Sequence, residues 1–196
     1  DRAIYYYEQG FNFSRDTSDL NGEGTALGNL GGAYYSLGQY ERAIDFHQQC
    51  LTIAREIGYL HVEGTVLGNL GITFEKLEDY VQAVDYAKQH LKLAREIGDR
   101  RGEGAGLREL GVALLRTDSK FEASKKLQAA LDIFKEVKSR RDEAEALKNL
   151  AEVYQALGEI ETAQQYCQQA LALATELGIP LVAEYEGLWE QFDGEE

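Results

Sequence analysis

Residues 24–58 read GTALGNLGGAYYSLGQYERAIDFHQQCLTIAREIG, and residues 64–98 read GTVLGNLGITFEKLEDYVQAVDYAKQHLKLAREIG. Extended to 24–63 and 64–103, the two stretches agree at 19 of 40 positions without a gap. A forty-residue unit repeated in tandem is the feature that decides the fold. Within it, Leu27, Leu30, Gly31, Tyr34 and Leu37 fall at helical spacing, and so do Ala43, Ile44, Leu51, Ala54 and Ile57. The spacing predicts two helices per unit, joined by a turn at Leu37-Gly38-Gln39-Tyr40. Gly58, Gly98 and Gly178 stand where a second helix closes. Asp99 and Ser139 stand where a side chain caps the next one. Glu23, Glu63, Glu103 and Glu143 then occupy a first turn, where the helix dipole favours an acid. No alternating strand pattern occurs.

The repetition runs outward in both directions. The third copy keeps Leu107, Leu110, Gly111, Ala123 and Leu131; the fourth keeps Leu147, Asn149, Leu150, Tyr154, Gly158 and Ala163. Arg2-Ala3-Ile4 matches Arg42-Ala43-Ile44. The expected organisation is a single array: a partial repeat at 1–23 supplying a second helix, whole repeats at 24–63, 64–103, 104–143 and 144–183, and a terminal helix and tail over 184–196. The third copy departs most, because its turn Thr117-Asp118-Ser119-Lys120-Phe121 lacks glycine. After Pro180 the register slips, which suits a helix covering the last repeat.

Composition agrees. Twenty glycines against one proline would mean loops only if the glycines were scattered. Most recur instead, inside helices at Gly24, Gly28 and Gly31 or at helix ends such as Gly38. A 44% hydrophobic share excludes a disordered acidic tail. No apolar run is long enough for a membrane span, and no signal peptide is present. The net charge of −14 argues against nucleic acid. Cys50 and Cys167, three repeats apart, are too distant to bond and suit a reducing, cytoplasmic compartment. The chain contains no methionine and reads as an excerpt of a longer protein. Ile4, Tyr5, Phe11 and Phe13 then belong to a helix without its partner, and self-association through that N-terminal end is expected.

Gly31…Tyr34…Ala43, Gly71…Phe74…Ala83 and Ala151…Tyr154…Ala163 resemble the tetratricopeptide repeat, in a form of 40 rather than 34 residues. The Ile97–Glu103 junction resembles the LGN and Pins adaptors, and equally the sensor arrays of bacterial STAND-type ATPases and CHAT proteins. The resemblance implies an all-α fold, a right-handed superhelical solenoid of helical hairpins. It also implies that the face of each first helix opposite Leu27, Leu30, Gly31 and Tyr34 lines a concave groove holding an extended peptide. On that face lie Asn29, Tyr35, Asn69, Lys76, Arg108, Arg116, Lys148 and Asn149, the candidate peptide-binding residues. Asparagines recur at one position, where an amide offers a peptide backbone both a donor and an acceptor; bridging of adjacent repeats is the alternative. Arg108 and Arg116 suit an acidic ligand, with internal pairing to Glu109, Glu145 or Glu152 as the alternative. Four bases and four acids balance on this face.

Other chemistries lack their residues. The two-carboxylate clamp of heat-shock co-chaperones needs an asparagine where this chain has Gly32, Ile72, Val112 and Glu152. Glycine clusters such as Gly102-Glu103-Gly104 have no following Gly-Lys-Ser/Thr. His47, His90 and Cys50 occupy packing positions, so no metal or cofactor is expected. The basic stretch from Lys120 to Arg141 is diluted by acids and reads as a solvated face. The expected function is a non-enzymatic scaffold for a protein or peptide ligand. The alternative is a sensor array within a larger signalling protein.

Overall fold

The computed structural model describes residues 2–179 and 182–193; Pro180 lies outside them. The described residues form ten α-helices: α1 (Arg2–Asp16), α2 (Leu20–Ser36), α3 (Tyr40–Glu56), α4 (Leu60–Lys76), α5 (Tyr80–Ile97), α6 (Arg100–Arg116), α7 (Lys120–Glu136), α8 (Arg140–Ala156), α9 (Ile160–Leu177) and α10 (Val182–Asp193). The helices divide into two compact units, Asp1–Gly98 and Asp99–Glu196. Within them α2 pairs most closely with α3, α4 with α5, α6 with α7 and α8 with α9. First helices also touch, α2 with α4 and α6 with α8.

The helices end on a strict clock. Positive φ occurs at Ser18, Gly38, Gly58, Glu78, Gly98, Asp118, Lys138, Gly158 and Gly178, every twentieth residue. One left-handed residue reverses the chain, and three residues later the next helix is under way. Asp19, Asp79 and Asp99 cap by accepting from the backbone N–H of Gly22, Gln82 and Gly102 at 3.1, 3.1 and 2.8 Å. Ser139 does not cap as the sequence suggests. Its hydroxyl donates to Asp142 instead, a carboxylate already drawn to Arg101.

Each hairpin closes on the periodic apolar residues. Leu27, Leu30, Leu67 and Leu70 are at most 1% exposed in the first unit, as are Leu127, Leu131, Phe134 and Leu150 in the second. Each such side chain contributes about 2 kcal/mol of burial. A small residue on the first helix lets the second approach. A Cβ at Gly31 would come within 2.5 Å of the His47 ring, and one at Gly111 within 2.6 Å of Leu127 Cγ. One turn on, aromatic rings stack across the hairpin: Tyr34 on Phe46, Phe74 on Tyr86 and Tyr154 on Tyr166, with centroids 5.2, 5.4 and 5.4 Å apart. Helix α10 packs on α9, where Tyr185 is fully buried and Trp189 meets Ala151, Ala163 and Cys167. At the other end, Ile4 and Phe11 turn inward against Leu30, Tyr34 and Ala43. Only Tyr5 and Phe13 of the four expected apolar residues stay exposed, at 57% and 70%, with Tyr6 beside them at 57%.

Candidate functional site

With Leu, Leu and Gly committed to the hairpin, the next residues along each first helix face away from it. In the first unit Asn29 is exposed and Asn69 half-buried. Both line one open cleft of about 600 Å³, walled by Ile4 and Tyr7 of α1 and floored by Gly28 and Gly32. A second cleft of about 720 Å³ shares Tyr7 and Asn29 and is rimmed by Tyr6 and Tyr59. The difference in exposure has a simple cause: α2 lies alongside α4 and shields Asn69. Among the described residues no first helix precedes α2. At the far end of the same helices Tyr35 packs against Tyr40, ring centroids 5.6 Å apart. Burial pushes the Tyr35 phenol up in pKa; Lys76 opposes this, while Tyr40 and Glu75 add to it. Lys76 is exposed and stands 3.6 Å from Glu75.

In the second unit the bases meet acids of the same face. Arg108 Nη1 stands 3.5 Å from Glu145, which Arg141 also approaches at 3.7 Å. Lys148 is 3.4 Å from Glu152. These are loose, partly solvated pairs, each worth at most about 1 kcal/mol, so they hold the side chains in place without locking them. Arg116 lies exposed in the last turn of α6. Two polar atoms stay unserved: Arg108 Nε, a donor, and Asn149 Oδ1, an acceptor, are buried with no hydrogen-bond partner. Asp142, at the start of α8, feels burial, which raises its pKa. Hydrogen bonds from Arg101 and Ser139 and the charges of Arg101 and Arg108 outweigh that and lower it. Among the described residues no group of His, Cys, Asp and Glu has the arrangement of a metal site. Nor is any helix long and apolar enough to cross a membrane.

The wall contributed by α1 escaped the sequence reading. Its signal was available in Ala3, Tyr6, Tyr7 and Gly10, which continue the second-helix positions of every later copy.

A family model described as tetratricopeptide repeat matches residues 22–96 and 102–176. The chain belongs to the tetratricopeptide repeat family. Solved structures of such repeats match nearly all of it at low identity. BtubC (BKLC) from P. vanneervenii is 15% identical with a TM-score of 0.76, covering 98% of this chain and 86% of its own. A Rap protein complexed with competence and sporulation factor is 16% identical with a TM-score of 0.83, over 93% of this chain and 51% of that one. A STAND protein with a tetratricopeptide repeat sensor, from Pyrococcus horikoshii, is 20% identical with a TM-score of 0.78, over 96% of this chain and 30% of that one. The repeats thus span about half or less of the last two proteins. No curated protein sequence matches the chain. For this repeat family the fold points to protein–protein interaction.

Proposed function

We propose that each unit binds a peptide segment along the outward faces of its own first helices. Asn29, Tyr35, Asn69 and Lys76 serve the first unit, and Arg108, Arg116, Lys148 and Asn149 the second. The observation that carries this reading is the pair of unserved buried atoms, Arg108 Nε and Asn149 Oδ1. Buried polar groups without partners are rare and cost about 1–3 kcal/mol each. A peptide backbone presents the complement, a carbonyl for the arginine and an N–H for the asparagine. Reaching them takes a side-chain rotation, a common adjustment at interfaces. Around them, loose pairs at Glu145 and Glu152 can exchange for acidic side chains of a ligand near Arg108 and Arg116. The Rap protein solved with competence and sporulation factor supports the reading by likeness of fold. Dodecapeptides selected on the chain from a display library provide the test. Arg108→Ala with Asn149→Ala weakens the selected binders at least about tenfold; unchanged affinity refutes the reading.

A second reading, a sensor array acting inside a larger signalling protein, draws support from the STAND protein, of which this chain covers 30%. In that case the same face receives a domain of the parent protein, and selected free peptides bind without regard to Arg108 and Asn149.

A further inference from the structure

Residues 120–141 carry seven bases and three acids, on a chain whose net charge is −14. Along the sequence the acids dilute the bases; in the fold they are already engaged. Glu136 is clasped by Arg100, whose Nε and Nη2 donate to it at 3.2 and 2.7 Å. Glu122 faces Lys126 at 4.0 Å. Asp132 accepts from Gln128 Nε2 at 3.0 Å, and Gln128 in turn accepts from the Tyr166 hydroxyl at 3.1 Å. Just outside the stretch, Asp118 is met by Lys120 at 3.4 Å and Asp142 by Arg101 at 2.7 Å. Among the described residues, Lys125, Lys135 and Lys138 have no acid within ion-pair reach. Phe121, Lys125, Gln128, Asp132 and Lys135 recur at steps of four and three residues, so they share one face of α7, with Lys138 just past its end. All but the half-buried Gln128 are exposed. Two differences set this face apart from its equivalents. Lys125 stands where α3 and α5 have Asp45 and Asp85. The turn aromatic, half-buried as Tyr40 and Tyr80, falls one residue later as Phe121 and is 69% exposed. Lys125 Nζ lies 4.1 Å over its ring.

We propose that the exposed face of α7 docks an acidic, amphipathic polypeptide segment of a partner. Its carboxylates meet Lys125, Lys135 and Lys138, and its apolar side chains cover the open side of Phe121. Charge selects this occupant. The three lysines have no internal counter-ion to give up, unlike Arg108, which stands 3.5 Å from Glu145. Lys125 and Lys135 lie about 15 Å apart along the helix, a spacing that carboxylates about three turns apart on a second helix reproduce. Phe121 supplies the aromatic contact that interfaces place among their buried anchors. A short acidic segment is favoured over nucleic acid on two grounds. The strongly negative remainder of the chain repels a long polyanion, and Lys125 already covers the ring face on which a base would stack. The surface belongs to a second helix, whereas Arg108 and Asn149 lie on the first helices α6 and α8. It stands whether or not those bind a peptide.

The probe is a fluorescein-labelled amphipathic peptide about 18 residues long, with glutamates on one face and leucines on the other, added to the full chain and followed by anisotropy. Saturable one-to-one binding is expected, weakening as salt rises. The same peptide with glutamine for glutamate does not bind. Lys125→Glu with Lys135→Glu, both exposed and therefore compatible with the fold, weakens binding at least about tenfold, and Phe121→Ala at least about threefold. Lys88→Glu with Lys92→Glu makes the same change of net charge on exposed positions of α5 and leaves the affinity within about twofold. Arg108→Ala with Asn149→Ala leaves it unchanged, which separates this surface from the peptide-binding faces of the first helices. The proposal is overturned if the peptide does not bind, or if the α5 variant loses as much as the α7 variant. It is also overturned if oligothymidylate of similar length competes as well as unlabelled peptide. Self-association of the chain alone that the Lys125→Glu, Lys135→Glu variant abolishes would overturn it too, since a second copy would then be the occupant.

Discussion

Gly31 and Gly71 hold the same place in successive repeats, yet a methyl group has opposite consequences at the two. At Gly31 it would drive into the His47 ring, 2.5 Å away. At Gly71 the facing residue is Ala87, and the nearest atoms stand at 3.6 Å, ordinary contact. Gly31→Ala therefore destabilises by about 1–3 kcal/mol. Gly71→Ala is neutral or stabilises by up to about 1 kcal/mol, because alanine favours the helix. Urea unfolding of the two variants decides, and an equal loss in both would contradict the packing account. His47 carries a second consequence. Burial, with Nδ1 left without a partner, holds its pKa down to about 4. The unfolded chain, with an imidazole near its ordinary value, takes up a proton that the folded chain refuses. The stability due to neutral His47 is complete above about pH 6.5 and is lost as the pH falls toward 4, by about 3 kcal/mol in all. Leu127 occupies the same position in α7, so His47→Leu keeps a native packing solution and flattens this part of the pH profile. Unfolding free energies measured at pH 7 and pH 4.5 on both proteins test it. An unchanged slope in His47→Leu would show that the histidine is not the titrating group.

Among the helices, the turns are the uneven part. Five of the nine left-handed residues are glycine, and Ser18, Glu78, Asp118 and Lys138 are not. A side chain there costs about 1–2 kcal/mol against the right-handed region, least for aspartate. Glu78→Gly and Lys138→Gly each raise stability by up to about 1 kcal/mol, and Asp118→Gly by less, read from thermal melts. A loss on both larger substitutions would mean that those turns are held by their side chains. The same residues explain what could be read in the sequence. Gly38, Gly58, Gly98 and Gly178 announced their helix ends, because glycine is the residue that takes positive φ without cost. Glu78 and Lys138 announced nothing, yet the chain turns there in the same way, since packing of the flanking helices imposes the geometry. Asp99 was legible as a cap. Ser139 was not, because its hydroxyl serves the carboxylate of Asp142, three residues on in the first turn of the same helix, in place of the backbone.

At the scale of the molecule, repetition made the fold legible and left the site half-legible. Leu27, Leu30 and Gly31 reappear with their burial intact in later copies, so the committed face of each first helix followed from the alignment of the chain with itself. The free face carries no such redundancy. Asn29, Asn69 and Asn149 share one position, yet Asn29 is exposed while Asn69 and Asn149 are half-buried, because what lies beside each depends on the neighbouring helix. Arg108 stands near Glu145 and Lys148 near Glu152, at distances set by the neighbouring helix and the next turn. The net charge of −14 lies elsewhere on the chain, since the outward face of the first helices carries four bases and four acids. The most direct measurement is a side-chain NMR titration of the labelled chain with a library-selected peptide. The account predicts that the Arg108 Nε–H and Asn149 amide signals move as the peptide saturates, while signals of the buried second-helix residues Leu127 and Cys167 stay in place. Saturation with Arg108 and Asn149 unmoved, and the shifts confined to α7 and α9, would contradict it.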